Sequence, residues 1–259
     1  ENGTLSELVV AGNRLSATMT LTPTASIADT TNAVTLAGAN FTDAAGNAGT
    51  GTGTSNNYAI DTISPNIVAM DVNRVDKKIT LTFSEAIDGS NQASMSKSAF
   101  AVSTVISGVP TMNPVDSFTV EGNTVTLTLS LQFEAGQVDI SYTDPTASDD
   151  ENALQDLAGN DVASFFSGVL VDGYIRNANI YIDTGRDTNE DNVIDSRDYF
   201  DTGVTTNAVG NFFLPADIPN GTIVAVGGVN TDTGLANNTE LKAPEGSTTI
   251  HPLTSIVQA

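Results

Sequence analysis

Residues 124–131 read TVTLTLSL, an unbroken alternation that puts Val125, Leu127, Leu129 and Leu131 on one side and hydroxyl side chains on the other. Only an extended chain sends every second side chain to the same face, so this is a strand with one buried and one wet surface. The pattern recurs in KITLTF at 78–83 and QVDISY at 137–142. Gly, Asn, Asp and Pro bound the runs, and Glu121-Gly122-Asn123 reads as a hairpin turn. Helical patterning is confined to one or two turns within 94–100. The chain is therefore expected to be all-β, built of antiparallel sandwiches.

Punctuation divides the chain. The run FTDAAGNAG at 41–49 is echoed by LQDLAGNDV at 154–162. A stretch rich in Gly, Thr and Ser follows the first echo, then AIDTISPNI; Ser167-Gly168 follows the second. Boundaries are expected near Pro65 and Gly168. Residues 1–64 are short for a sandwich, which usually needs ~100 residues, and are expected to be a domain lacking its N-terminal strands. Residues 65–168 have the length of a whole sandwich. Residues 169–259 form a third, β-rich module with a strand starting near Val169, a strand pair around 211–214 and 222–226, and a polar stretch at 231–240. The completeness of this module is left open.

Charge excludes several partners. Among 259 residues there are 31 acids and 9 bases, a formal charge of -22. Nucleic acid and anionic membrane surfaces both require clustered Lys and Arg. No apolar run reaches 18 residues, so membrane insertion is not expected. The absence of Cys removes disulfides and thiolate chemistry. The acids come in packets. Residues 144–161 hold Asp144, Asp149, Asp150, Glu151, Asp156 and Asp161 without a base, and residues 183–201 hold seven acids against Arg186 and Arg197. Crowded like charges repel unless a cation lies among them; the plain alternative is solubilising acidity.

The second packet contains DTNEDNVIDSRD, residues 187–198. Asp187, Asn189, Asp191, Asp195 and Asp198 fall at positions 1, 3, 5, 9 and 12 of a calcium loop, and Val193 at position 7 would offer its carbonyl. Asn192 takes position 6, where a tight turn suits Gly or Asn. Ile194 at position 8 is expected to anchor the loop in a core. A cation joining carboxylates at a joint would restrain otherwise mobile neighbouring domains. Asp43 and Asn47 with Asp61 are candidates at the first joint. Asp149, Asp150, Asn152, Asp156 and Asp161, with Asp172, are candidates at the second. Each of these is equally well read as a turn residue capping its own backbone.

Catalytic patterns are missing: there is no GxSxG, HExxH or GxxxxGK[ST], and His251 is the single histidine, so no enzyme is expected. Tyr174, Tyr181 and Tyr199 flank the acidic loop as packing residues or sugar platforms.

LTFSEAID at 81–88, the run 140–165, and FTDAAGNAGTGT with AIDTISP resemble bacterial Ig-like repeats of giant RTX-type surface adhesins. The middle segment is similar to the SwmB-type repeat of long bacterial surface proteins. VDGYIRNANIYIDT, GNFFLP and the run 227–257 resemble a calcium-loop module near the ligand-binding end of such adhesins. That module opens its loop with a compact DTNGNG; here Asp183-Thr184-Gly185-Arg186 precedes a second start at Asp187, so either Asp183 or Asp187 opens it. The resemblance implies tandem Ig-like sandwiches, bound Ca2+, and a monomeric positioning segment of an adhesin on the bacterial cell surface, acting in adhesion or biofilm attachment. Its partners would be neighbouring domains of one long chain and a glycan or peptide on the target. The alternatives are a direct calcium-dependent sugar- or peptide-binding module, with 231–245 presenting oxygens and amides, and a non-catalytic module of a secreted polysaccharide-degrading enzyme.

Overall fold

The computed structural model describes residues 2–146, 151–191 and 193–257. It divides into two compact units, Glu1–Ser64 and Pro65–Ala259. The first unit contains β1 (Gly3–Leu5), β2 (Val9–Val10), β3 (Ala17–Thr18), β4 (Leu21–Pro23), β5 (Ala28–Asn32), β6 (Thr35–Ala37), β7 (Thr52–Thr54) and β8 (Tyr58–Asp61). β1 pairs β4 and β2 pairs β3; β5 pairs β8 and β6 pairs β7, all antiparallel. Side chains tie the two ladders: the Asn2 amide donates to Asp29 at 2.7 Å and to Asn32 at 2.8 Å. Among the described residues of this unit only Asn32 and Ile60 are buried. Its order therefore rests on hydrogen bonds more than on a core.

The second unit opens with β9 (Ile67–Asn73), β10 (Lys78–Phe83), β11 (Phe100–Ile106), β12 (Val109–Met112), β13 (Val115–Glu121), β14 (Thr124–Leu129), β15 (Asp139–Tyr142) and β16 (Phe165–Leu170). One sheet has the order β13-β14-β10-β9. In it Ile79, Leu81, Val125, Leu127 and Leu129 are fully buried, the inward side of the sequence alternation. Leu131 departs from that pattern and is exposed. Its strand ends at Leu129 because buried Asn113 captures the chain there, accepting from Leu131 N and donating to Leu131 O, each at 3.0 Å. The β13–β14 hairpin turns through Gly122 and Asn123, with Gly122 at φ +58°. The helical signal at 94–100 resolves to one 3-10 turn, Lys97–Ala99.

There follow β17 (Ile175–Arg176), β18 (Asn179–Asp183), β19 (Phe200–Thr205), β20 (Asn211–Pro215), β21 (Thr222–Val226), β22 (Val229–Asn230), β23 (Leu241–Ala243), β24 (Thr249–Ile250) and a short helix α1 (Pro252–Val257). The second sheet runs β12-β11-β15-β16-β20, with β24 added parallel to β16; a third runs β19-β18-β21-β23. The expected partnership of 211–214 with 222–226 is not formed. β20 pairs β16, while β21 sits between β18 and β23. The reason lies in alternation on β20: Phe213 enters the sandwich core, whereas Phe212 and Leu214 enter a second core with Leu170, Ile180, Ile182, Ile223 and Ile250. One strand thus serves two cores from opposite faces. Gly168 lies inside β16 opposite Phe212, so the residue expected at a boundary is within a shared strand. The ordered fold is all-β, with Ig-like sandwich packing.

Candidate functional site

The acidic loop at 187–198 leaves β18 and returns to β19. Asp198, buried in the loop, is its brace. One carboxylate oxygen accepts from Thr188 N at 2.7 Å, Thr188 Oγ1 at 3.0 Å and Asn189 N at 3.1 Å; the other accepts from Asp195 N at 3.1 Å. Donors converging on the anion hold its pKa below the usual carboxylate range, the Asp195 amide contributing most. Asp187 Oδ1 and Asn189 Oδ1 both accept from Asp191 N, at 3.2 and 3.0 Å, so positions 1 and 3 aim at one point. Asp191 Oδ1 accepts from Val193 N at 2.9 Å. Arg197 reaches back over the loop, 2.6 Å from Asp191 and 2.8 Å from Asp195. Its hydrogen bonds lower the Asp195 pKa and raise its own.

Ile194 corrects the sequence expectation. It is half exposed, as is Val193, and does not enter a core. Asp198 and Arg197 hold the coil through polar bonds instead. Asn192 at position 6 lies outside the described residues; the left-handed conformation appears at Glu190, φ +61°. The alternative loop start, Asp183, accepts from Gly185 N at 2.8 Å and lies 3.7 Å from Lys242 Nζ. Lys242 also reaches Glu240 at 3.1 Å and Tyr199 Oη at 3.0 Å, and stands 5.4 Å from the centre of the Tyr199 ring. Burial acts to lower the Lys242 pKa, but bonding to Tyr199 and Glu240 outweighs it and the net shift is upward. The same burial raises the pKa of Tyr199.

The internal echo proves to be one turn made twice. Asp43 Oδ1 accepts from Ala45 N and Asn47 N, both at 2.9 Å, and Oδ2 from Asn47 Nδ2 at 2.9 Å. Asp156 Oδ1 accepts from Ala158 N at 2.7 Å and Asn160 N at 2.9 Å, and Oδ2 from Asn160 Nδ2 at 2.7 Å. Gly46 and Gly159 turn at φ +90° and +94°. A D-x-A-G-N loop closes on its own carboxylate, which accounts for Asp43, Asn47 and Asp156 as turn residues. Asp43 is consequently held low in pKa, first by the Asn47 amide.

Asp61 ends β8, where one oxygen accepts from Ile63 N at 3.1 Å. Asp161 follows the second turn and bridges Gln155. Asn152 and Asp172 are exposed, and the Asp172 carbonyl accepts from Asn230. Asp149 and Asp150 lie outside the described residues. His251 caps α1: its Nδ1 accepts from Leu253 N at 3.1 Å and Thr254 N at 3.2 Å. Arg197 and Lys242 were not singled out as functional from sequence, although Arg197 is a base inside an acid packet and Lys242 stands between Glu240 and Glu245.

Comparison with known proteins divides along the chain. A bacterial Ig-like domain model matches residues 1–60, and a flagellar system-associated repeat model, the SWM repeat, matches residues 60–147. No curated protein matches. Among solved structures, the N-terminal part of the bacterial S-layer protein SbsC is similar at 17% identity and a TM-score of 0.29, covering 73% of this chain. The aligned part spans 43% of that protein's solved chain.

Proposed function

We propose that the chain is a structural, positioning segment of an extracellular bacterial surface adhesin, in which calcium makes the acidic loop rigid. The observation that carries this reading is the series of unlike β modules, one matched by a bacterial Ig-like model and the next by a repeat model. Modules in series hold a binding end away from the cell surface. A net charge of -22 suits a soluble, repelling exterior and disfavours polyanionic partners. No helix among the described residues is long and apolar enough to cross a membrane. The partners in this reading are adjoining domains of a longer chain and a glycan or peptide on the target surface, with the segment itself monomeric and non-catalytic.

The donors of the acidic loop fit a hard cation. Asp187, Asn189, Asp191 and Asp195 offer oxygens, with the Val193 carbonyl between them, and two of those oxygens already converge on the Asp191 amide. Bound Ca2+ would supply positive charge among side chains that otherwise repel. Asp198 holds the coil closed through its four accepted hydrogen bonds, so it acts as brace before it acts as ligand. Arg197 neutralises Asp191 and Asp195 in the meantime and must yield to a cation. Extracellular modules of this kind bind calcium at ~10⁻⁴–10⁻³ M, which suits millimolar external calcium.

The test is calorimetric unfolding of the full chain with calcium and then with EDTA. The reading requires that calcium raise the melting temperature of the second unit and slow amide exchange at Thr188, Asn189 and Asp195. Identical unfolding and exchange in both conditions would sink the calcium part.

A further inference from the structure

We infer that the cleft between β9 and β19 binds a neutral carbohydrate. The cleft has a volume of about 560 Å³, in the range of small-ligand sites. None of its 17 lining residues is charged, in a chain that carries 31 acids and 9 bases. Residues 65–68 form one wall and 202–207 the other. Neighbouring residues of a strand point to opposite faces, so walls made of consecutive residues are strand edges rather than sheet faces. β9 and β19 are indeed the outer strands of their sheets. Phe165 and Phe213, packed edge to face at 6.1 Å, also line the cleft.

Three asparagines supply the recognition chemistry. Asn66, Asn177 and Asn211 line the cleft, and their side-chain amides make no hydrogen bond among the described residues. Each amide offers both donors and an acceptor, the complement of a sugar hydroxyl, which also does both. The edges themselves argue against an extended peptide adding as a strand. Register shifts at both places: Val68 is extra on β9, and Thr202 and Gly203 are extra on β19, where Gly203 stands at φ +68°. Bulged edges resist strand addition. On β19 the displaced Gly203 N donates to Asp201 Oδ1 at 2.9 Å and Val204 N to Thr202 Oγ1 at 3.2 Å, so the asparagine side chains are the groups left to meet a ligand. The acidic surroundings repel sulfated or carboxylated sugars, so the ligand is uncharged. The inference is independent of the calcium loop.

The experiment is a nitrogen-15 NMR titration of the full chain with cellobiose, maltose, lactose and chitobiose at millimolar concentration. A neutral peptide, Gly-Ser-Thr-Ser-Gly, is titrated in parallel. At least one disaccharide shifts amides of 65–68, 202–207 and 211. Asn211→Ala weakens that binding by roughly tenfold, the value of one or two hydrogen bonds. Thr205→Arg, placed on an exposed edge position and filling the cleft, abolishes it without changing the melting temperature. Silence from all four sugars overturns the inference. So do shifts confined to other regions, affinity unchanged in both variants, or a response to the peptide alone.

Discussion

Gly168 is the position where one methyl group tests the two-core architecture. It lies in β16 opposite Phe212, a residue wholly buried in the second core. A Cβ built on Gly168 would stand 2.5 Å from Phe212 Cε2 and 2.9 Å from Cε1, with Cζ closer still. Carbon atoms pack best at about 3.5–4.0 Å, so the ring would have to move by roughly 1 Å or more. It has little room, because Leu170, Leu214 and Ile250 in the same core are also fully buried. Forced overpacking costs about 1–3 kcal/mol, and a rigid aromatic in a closed core belongs at the upper end. For a unit of this size that is a fall in melting temperature of roughly 6–12 °C. Calorimetry and near-ultraviolet dichroism of Gly168→Ala measure it. Phe212→Leu makes room for the methyl group, so the double variant should be more stable than the sum of the single losses predicts, by about 1 kcal/mol or more. A Gly168→Ala chain within about 0.5 kcal/mol of wild type, or strict additivity in the cycle, would refute the reasoning.

Other outcomes follow from the polar sites. Asp156 is buried although its turn is not, so Asp156→Ala leaves the partly exposed Ala158 and Asn160 amides without their acceptor and should cost about 1 kcal/mol by denaturant unfolding; the exposed copy, Asp43→Ala, should cost less. Lys242→Met leaves Glu240 and Tyr199 without their cation, an expected loss of about 1–2 kcal/mol after allowance for solvent screening. Arg197→Gln removes the internal counter-charge and should tighten calcium binding several-fold by calorimetric titration, while leaving the metal-free loop less protected from amide exchange. Asp195 and Asp198 have folded pKa values below their unfolded ones. Their contribution is therefore complete above about pH 4 and lost as pH falls through the depressed folded values. Asp139 runs oppositely, since burial raises its pKa. Its penalty is full above the raised value and relieved on acidification toward the unfolded one, so Asp139→Asn should flatten that part of the stability profile.

Much of the strand content was written in two-residue alternation, and KITLTF coincides with β10 residue for residue. The limit of that reading is visible at Leu131, where Asn113, distant in sequence, ends the strand. Pairing order was less legible. The adjacent runs at 211–215 and 222–226 look like a hairpin, yet Phe212 and Phe213 point into different cores, and alternation alone does not say which sheet lies on each side. Calcium-loop spacing identified the acids that gather at 187–198. It did not show that Asp198 would be engaged by the amides of Thr188, Asn189 and Asp195, nor that Ile194 would remain exposed, because spacing in the chain does not say which groups the closed coil turns inward. The D-x-A-G-N echo was visible as repetition, and its cause is a carboxylate closing its own turn. The charge-free cleft was invisible in composition, because it is assembled from residues 65–68 and 202–207, far apart in the chain.

The central claim is best tested by diffraction from crystals of the full chain grown in calcium chloride, with anomalous differences measured above the calcium absorption background. The account predicts an anomalous peak inside the 187–198 coil, within ~2.3–2.6 Å of oxygens from Asp187, Asn189, Asp191 and Asp195, with Arg197 swung away. A coil holding only water, with the Arg197 guanidinium still bridging Asp191 and Asp195, would contradict it.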